Sequence, residues 1–173
     1  FGTEVPGATI YTNPDASWMF SYNHGNGSDD IEIDKVYDSA NPSTPYFFNT
    51  SKTTNFTQMF SHMNRSAISL SSASIPFDCT NGNGVSPFGL MDTSSAENMS
   101  SIFEGCTSFN RPLNNWNVSN VTDMDRMFAG TPFNQDITGW DVSNVTSMQS
   151  MFEDNSVFNQ PIGLWGSKMA NLY

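Results

Sequence analysis

WDVSNVTSMQSMF, residues 140–152, is a near copy of WNVSNVTDMDRMF, residues 116–128, at an offset of 24 residues. Each is followed by a shorter apolar word: FNQDITGW from Phe133 to Trp140 and FNQPIGLW from Phe158 to Trp165, with FNRPLNNW from Phe109 to Trp116 one unit earlier. A weaker first half, MDTSSAENMSSIF, runs from Met91 to Phe103, and FNTSKTTNFTQMF from Phe48 to Phe60 keeps the same apolar spacing. Units therefore start near 48, 91, 116, 140 and 165, with a degenerate unit in 61–90. Near-identical words at a fixed period mark a repeat architecture.

Within VTSMQSMF, Val145, Met148, Met151 and Phe152 recur at i, i+3, i+6 and i+7, which predicts a short helix with one apolar face. Thr146 or Ser143 is placed to cap it. FNQDITGWDV reads as an irregular extended arm with a very short strand at Trp-x-Val. One such unit cannot bury both faces alone, so the expected fold is an α/β repeat, a short solenoid of stacked units over 48–173. Stacking would align Trp116, Trp140 and Trp165; Phe109, Phe133 and Phe158; and Phe103, Phe128 and Phe152. Met99, Met124 and Met148 would fill between the aromatic layers. Asn110, Asn134 and Asn159, each beside a buried Phe, are expected to form an amide ladder that satisfies turn carbonyls.

Residues 1–47 differ in kind. They carry Glu4, Asp15, Asp29, Asp30, Glu32, Asp34 and Asp38 against Lys35 alone. DIEIDKVY alternates acids with Ile31, Ile33 and Val36 or Tyr37 and reads as a half-buried strand. An irregular β-rich N-terminal cap is expected here, or the end of a preceding domain. Phe1 reads as a processed terminus or a cut within a longer chain.

The composition agrees with one domain made mostly of repeats. The chain has 173 residues and a net charge of −11, with 20 Asn, 24 Ser and 15 Thr, and aromatics at 13%. An acidic surface opposes a phosphate backbone, so no nucleic-acid partner is expected. No apolar run approaches the ~20 residues of a membrane span. The aromatic content is too high for a disordered acidic tail.

The words FNQDITGWDVSNVTSMQSMF and FNRPLNNWNVSNVTDMDRMF resemble the BspA-type leucine-rich repeat of bacterial and protist surface proteins, clearly over 91–173 and more loosely over 48–90. The resemblance implies a secreted or surface-attached, non-enzymatic protein, adhesive in some members, with no family-wide catalytic residues to carry over. WGSKMANLY, from Trp165 to Tyr173, departs from the pattern by lacking the SNVT word. It is either a terminal cap or a truncated repeat whose open face meets another chain or domain.

Candidate chemistry is sparse. NHGNGSDDIEID, residues 23–34, offers Asn26, Asp29, Asp30, Glu32 and Asp34 as hard oxygen ligands for Ca²⁺, without EF-hand spacing; a solvated acidic turn is the competing reading. Asp123 and Asp125 form a second acidic pair. His24 and His62 have no nucleophile elbow beside them. Acids at repeated positions interchange with amides, as Asp141 does with Asn117, which a catalytic carboxylate would not tolerate. Cys79 and Cys106 could close one disulfide loop or stand as buried thiols. Sequons begin at Asn26, Asn49, Asn55, Asn64, Asn98, Asn117, Asn120 and Asn144.

The expected function is that of a non-catalytic repeat protein, extracellular or on a cell surface, which mediates adhesion or protein–protein contact. Its partner would be a protein or glycan on another surface, and no cofactor is expected. The alternative is a structural decoration, fibre or appendage subunit of a virion or cell surface, held by copies of itself or by neighbouring subunits.

Overall fold

The structure, a computed structural model, describes residues 10–11, 14–17, 37–38, 41–45, 48–62, 88 and 91–167. Four short strands lie in its first part: β1 (Ile10–Tyr11), β2 (Tyr37–Asp38), β3 (Asn41–Pro45) and β4 (Phe48–Asn49). β1 pairs in parallel with β4, and β2 antiparallel with β3, giving two two-stranded sheets. Among the described residues from 91 onward, the helical element is a 3-10 helix, Ile162–Ser167. Of the strand expected in DIEIDKVY only Tyr37 is described, where β2 begins. The degenerate unit at 61–90 lies outside the described residues except for Ser61, His62 and Phe88.

The α/β expectation is overturned. Among the described residues there is no α-helix and, beyond Asn49, no strand, so they form no leucine-rich-repeat solenoid of strand plus helix. The reason is visible in the backbone. Ser150 and Asp154 have φ of 55° and 57°, in the left-handed region, and these break the run read as a helix over 145–152 and its continuation. The Met151 amide bonds the carbonyl of Met148, closing a three-residue turn where a helix would have reached back four. Apolar side chains every third residue were thus a correct sign of inward-facing positions and a misleading sign of helix. Thr146 caps nothing, and its hydroxyl donates to the Thr122 carbonyl at 3.0 Å. The short strand at Trp-x-Val is absent too, since Trp140 and Val142 sit between two tight turns (Trp140 N–H to Ile137 O, Val145 N–H to Val142 O).

What replaces the helix is a ribbon of tight turns. Successive ribbons touch through single parallel bridges: Asp15 to Asn55, Asn55 to Asn98, Asn98 to Asp123, and Asp123 to Ser147. We call these ribbons rows 1 to 5, and four of them are described in full: 55–62, 98–105, 123–130 and 147–154. Every second amide of a row donates to the next row. Met124, Arg126, Phe128 and Gly130 donate to the carbonyls of Ser147, Gln149, Met151 and Glu153 at 2.7–2.9 Å. The amides between them close the turns inside the row, as Met127 to Met124 and Ala129 to Arg126 do. Each full row has left-handed residues at the same two places: Gln58 and His62, Ser101 and Gly105, Arg126 and Gly130, Ser150 and Asp154. These alternations turn consecutive peptides to opposite sides, so the ribbon satisfies its backbone polar groups without regular secondary structure.

Row 1 begins inside the stretch read as a cap. The Ala16 amide donates to the Asn55 carbonyl, as Phe56 does to Asn98, and Pro14 O accepts from Thr54 and Asn55, as Thr54 O accepts from Glu97 and Asn98. In the sequence, DASWMFSY from Asp15 matches NFTQMFSH from Asn55 position by position.

Aromatic rings occupy the interior between rows. Phe60, Phe103, Phe128 and Phe152 follow one another at centroid separations of 5.7, 6.0 and 5.7 Å. Phe109, Phe133 and Phe158 follow at 5.9 and 6.4 Å. Within a row the two series lie face to face, Phe103 on Phe109 and Phe128 on Phe133, each at 3.9 Å. Trp140 stacks on Trp165 at 6.3 Å, whereas Trp116 lies tilted against Phe103 at 5.7 Å. Burial is complete for Phe103, Phe109, Phe128 and Phe133, but Phe152, Phe158, Met148 and Ile162 are only partly covered. Such ring pairs contribute ~0.5–1.5 kcal/mol each beyond their area.

Candidate functional site

The bridges align a polar face along the rows. At four of the five bridge positions a side-chain oxygen bends back to the amide two residues on: Asp15 to Ser17, Asn55 to Thr57, Asn98 to Ser100 and Asp123 to Asp125, at 2.9–3.0 Å. These Asx turns start the ribbon, and short oxygen-bearing side chains suit them. The same face is knitted across rows. Thr57 donates to Asn98 Oδ1 at 2.9 Å, Asn98 Nδ2 to Asp123 Oδ2 at 3.2 Å, and the Ser147 hydroxyl and Gln149 amide to Asp125 Oδ1. Asp123 and Asp125, the acidic pair singled out in the sequence, thus face donors from their own and neighbouring rows. Among the described residues no group of three or more His, Cys, Asp or Glu converges on a metal-sized point. The Ca²⁺ candidates Asn26, Asp29, Asp30, Glu32 and Asp34 lie outside the described residues, as do His24 and Cys79.

One cation sits on this surface in a defined geometry. Arg126 projects from its left-handed position, donates through Nε to Glu104 at 2.8 Å, and donates through Nη1 to Glu153, spanning three rows. Burial pushes the Glu104 carboxyl up, but bonds from Ser101 and Arg126 and the charges of Arg126 and His62 outweigh it and hold the group below its ordinary value. The guanidinium is correspondingly raised, chiefly by its bond to Glu104. Asp92 and Asp136 are lowered by their bonds from Ser94 and Thr138.

His62 Nδ1 lies 2.6 Å from the Ser61 hydroxyl, yet Ser61 is 1% exposed and its oxygen also points at the Glu104 carbonyl, so it is sealed from a substrate. Cys106 is a fully buried free thiol that donates to the Phe60 carbonyl, not one half of a disulfide. On the far side of the aromatic interior, Asn110 Oδ1 accepts the Asn134 amide and Gln135 Nε2, and Asn134 Oδ1 accepts the Asn159 amide and Gln160 Nε2. The asparagines therefore take amides, and it is Gln135 and Gln160 that reach the carbonyls of Asn110 and Asn134. Of the sequon asparagines, Asn120 and Asn144 donate to the carbonyls of Ser94 and Ser119 at 2.8 and 2.7 Å.

Sequence reasoning missed Gln135, Gln160, the Arg126 clamp and row 1. FNQ at 133–135 and 158–160 carried the first signal, and DASWMFSY the last. Nothing in the sequence flagged that Arg126, Glu104 and Glu153 would converge, because they belong to three different rows.

The exposed positions of the rows share one backbone course but not one chemistry. Asp92, Asn117 and Asp141 occupy equivalent exposed sites, as do Glu97, Thr122 and Thr146, and Pro112, Asp136 and Pro161. A constant interior thus presents an interchangeable exterior whose charged members at these positions are all acidic.

Residues 74–172 match the family described as Mycoplasma protein of unknown function, DUF285. The match spans more than half of the chain, and the chain belongs to this family. No curated protein and no solved structure matches it. Among the described residues, no helix is long and apolar enough to cross a membrane.

Proposed function

We propose that this is a non-catalytic protein of an exposed surface, extracellular or on a cell, which mediates adhesion or protein–protein contact through its polar row face. The observation that carries the reading is the contrast between a repeated aromatic interior and substituted exterior positions, Asp92/Asn117/Asp141 and Glu97/Thr122/Thr146 above all. Residues that touch a partner can change while the rings that hold them do not. The likeness of 91–173 to BspA-type surface words supports the same reading. Acids outnumber bases on this face, so a basic protein patch or a glycan with cationic groups is the favoured partner, and binding falls as salt rises. Arg126 sits on the face as a guanidinium donor, able to grip a carboxylate or hydroxyl pair once Glu153 swings away.

An array of glycans and extracellular-matrix proteins, probed with the whole chain, tests this. Salt-sensitive binding that drops when Glu97, Thr122 and Thr146 are replaced together by Lys supports the proposal. A blank array, or binding indifferent to that triple substitution, refutes it.

A further inference from the structure

The sequon asparagines occupy two kinds of place. Asn55 and Asn98 stand at bridge positions with a row on either side: Asn55 bridges Asp15 and Asn98, and Asn98 bridges Asn55 and Asp123. Both are half-buried. Asn98 is spent at both ends of its amide, Oδ1 accepting from the Thr57 hydroxyl and from the Ser100 amide and hydroxyl, and Nδ2 donating to Asp123. Asn117, Asn120 and Asn144 are exposed, on tight turns. Asn120 and Asn144 give their Nδ2 to the Ser94 and Ser119 carbonyls.

Asn117 combines exposure with an open amide nitrogen. Its Nδ2 donates to nothing among the described residues, while its Oδ1 accepts the Ser119 amide at 3.0 Å and the Ser119 hydroxyl at 2.8 Å. Its main chain is held by Thr93, whose Oγ1 accepts the Asn117 amide at 2.9 Å and donates to the Asn117 carbonyl at 3.0 Å. The side chain is therefore presented to solvent on a fixed base.

Asn117-Val118-Ser119 is the acceptor word for asparagine glycosylation, which takes an amide nitrogen open to solvent and a hydroxyl two residues on. The two bonds onto Oδ1 draw amide electron density toward oxygen and make the Nδ2 protons more acidic. We infer that Asn117 carries an N-linked glycan. The donor is a sugar joined through its anomeric carbon to a polyprenyl diphosphate. Nδ2 attacks that carbon and gives one proton to a base of the transferring enzyme. The bond from carbon to diphosphate oxygen breaks, and the polyprenyl diphosphate leaves with the electron pair. Such transfer acts on exported chains, so the site rests on the extracellular part of the reading above.

The fold also sets the other sequons apart. A bulky glycan on Asn55 or Asn98 would have to lie between rows and displace the bonds that join them. On Asn120 or Asn144 it would crowd the carbonyl that the nitrogen now reaches. On Asn117 it leaves both Oδ1 bonds and both Thr93 bonds in place.

The test is to secrete the whole chain from a eukaryotic cell line behind a cleavable leader. Deglycosylation in heavy-oxygen water then labels each asparagine that carried a glycan, and mass spectrometry locates the label. The cell-retained chain is read by the same digest, so poor secretion does not remove the result. The expected outcome is label at Asn117 in most secreted chains, at Asn120 and Asn144 in few, and at Asn55 and Asn98 in none. Asn117→Asp keeps the turn, as Asp92 and Asp141 show by accepting the Ser94 and Ser143 amides at 2.9 and 3.1 Å; it should remove the mass of one glycan. Ser119→Ala keeps the amide bond to Oδ1, loses the hydroxyl, and should empty Asn117. An unlabelled Asn117, or label confined to Asn120 and Asn144, overturns the inference. So does a glycan that persists at Asn117 in Ser119→Ala. Because the leader supplies the route out of the cell, failure at Asn117 speaks of the site alone, whereas a blank binding array speaks of adhesion.

Discussion

Replacing Trp140 by alanine removes a ring from the centre of the interior. Trp140 is 2% exposed, stacks at 6.3 Å on both Phe128 and Trp165, and donates through Nε1 to the Leu113 carbonyl at 3.2 Å. A buried aromatic side chain withdraws roughly 150–250 Å² from water, worth ~4–6 kcal/mol at ~25 cal/mol/Å². Measured truncations of buried aromatics to alanine cost ~3–5 kcal/mol. The orphaned Leu113 carbonyl adds ~1 kcal/mol. Trp140→Ala should therefore cost about 4–5 kcal/mol, a large part of a stability of ~5–15 kcal/mol. In a domain of this size it lowers Tm by ~8–20 °C. Near-UV circular dichroism and calorimetry are the suitable assays, since few of the described residues lie in helix or strand. Trp140→Phe keeps a ring and loses the indole donor, and should cost only ~1–2 kcal/mol. A Tm drop of less than about 3 °C in Trp140→Ala, or equal losses in the two variants, would refute the packed-ring account.

Three further outcomes are expected. Gly105→Ala and Gly130→Ala both place a side chain at positive φ, 69° and 66°, but a Cβ on Gly105 lies 2.5 Å from the His62 ring and one on Gly130 meets nothing nearer than 3.6 Å; calorimetry should show ~1–2 kcal/mol for Gly130→Ala and clearly more for Gly105→Ala. Because the folded Glu104 carboxyl lies below its ordinary value of 4.5, its stabilisation is present above that pH and is lost as pH falls through the folded value; acid unfolding of Glu104→Gln should therefore be less steep than that of the natural chain, and identical curves would count against the clamp. Asn134→Ala removes the acceptor for the Asn159 amide and Gln160 and should cost ~1–2 kcal/mol in urea unfolding, with little further loss on adding Gln160→Ala.

The period, the inward positions and the polar words were legible in the sequence because they depend on side-chain chemistry repeated along the chain. The backbone course was not. Val145, Met148 and Met151 at steps of three fit a helix as well as a succession of turns, and what decides between them is the positive φ at Ser150 and Asp154. Neither position holds glycine, the residue that advertises such a conformation, although Gly105 and Gly130 stand at the second position in two of the rows. The ladder was half legible: Asn110, Asn134 and Asn159 were visible as repeated, but whether an amide side chain gives or takes a bond is set by which backbone group faces it. The Arg126 clamp joins rows 22 and 27 residues apart along the chain, a separation at which no local pattern speaks.

The forward excess of the inter-row bonds has an electrostatic consequence. In an ordinary sheet neighbouring peptide dipoles largely cancel. Here four amides of each full row up to 123–130 donate forward, while only one or two at the start of the next row donate back, as Thr146 and Ser147 do to Thr122, so the bridging dipoles leave a net sum along the rows as they do along a helix. The positive pole lies at row 5, where the amides emerge, and the negative pole at row 1. An α-helix has its positive pole at its N-terminal end; this chain has it at the C-terminal end. Glu153 and Asp154 therefore sit at the favourable pole and Asp15 at the unfavourable one. A charge added near residue 154 and the same charge added near residue 15 should shift stability in opposite directions.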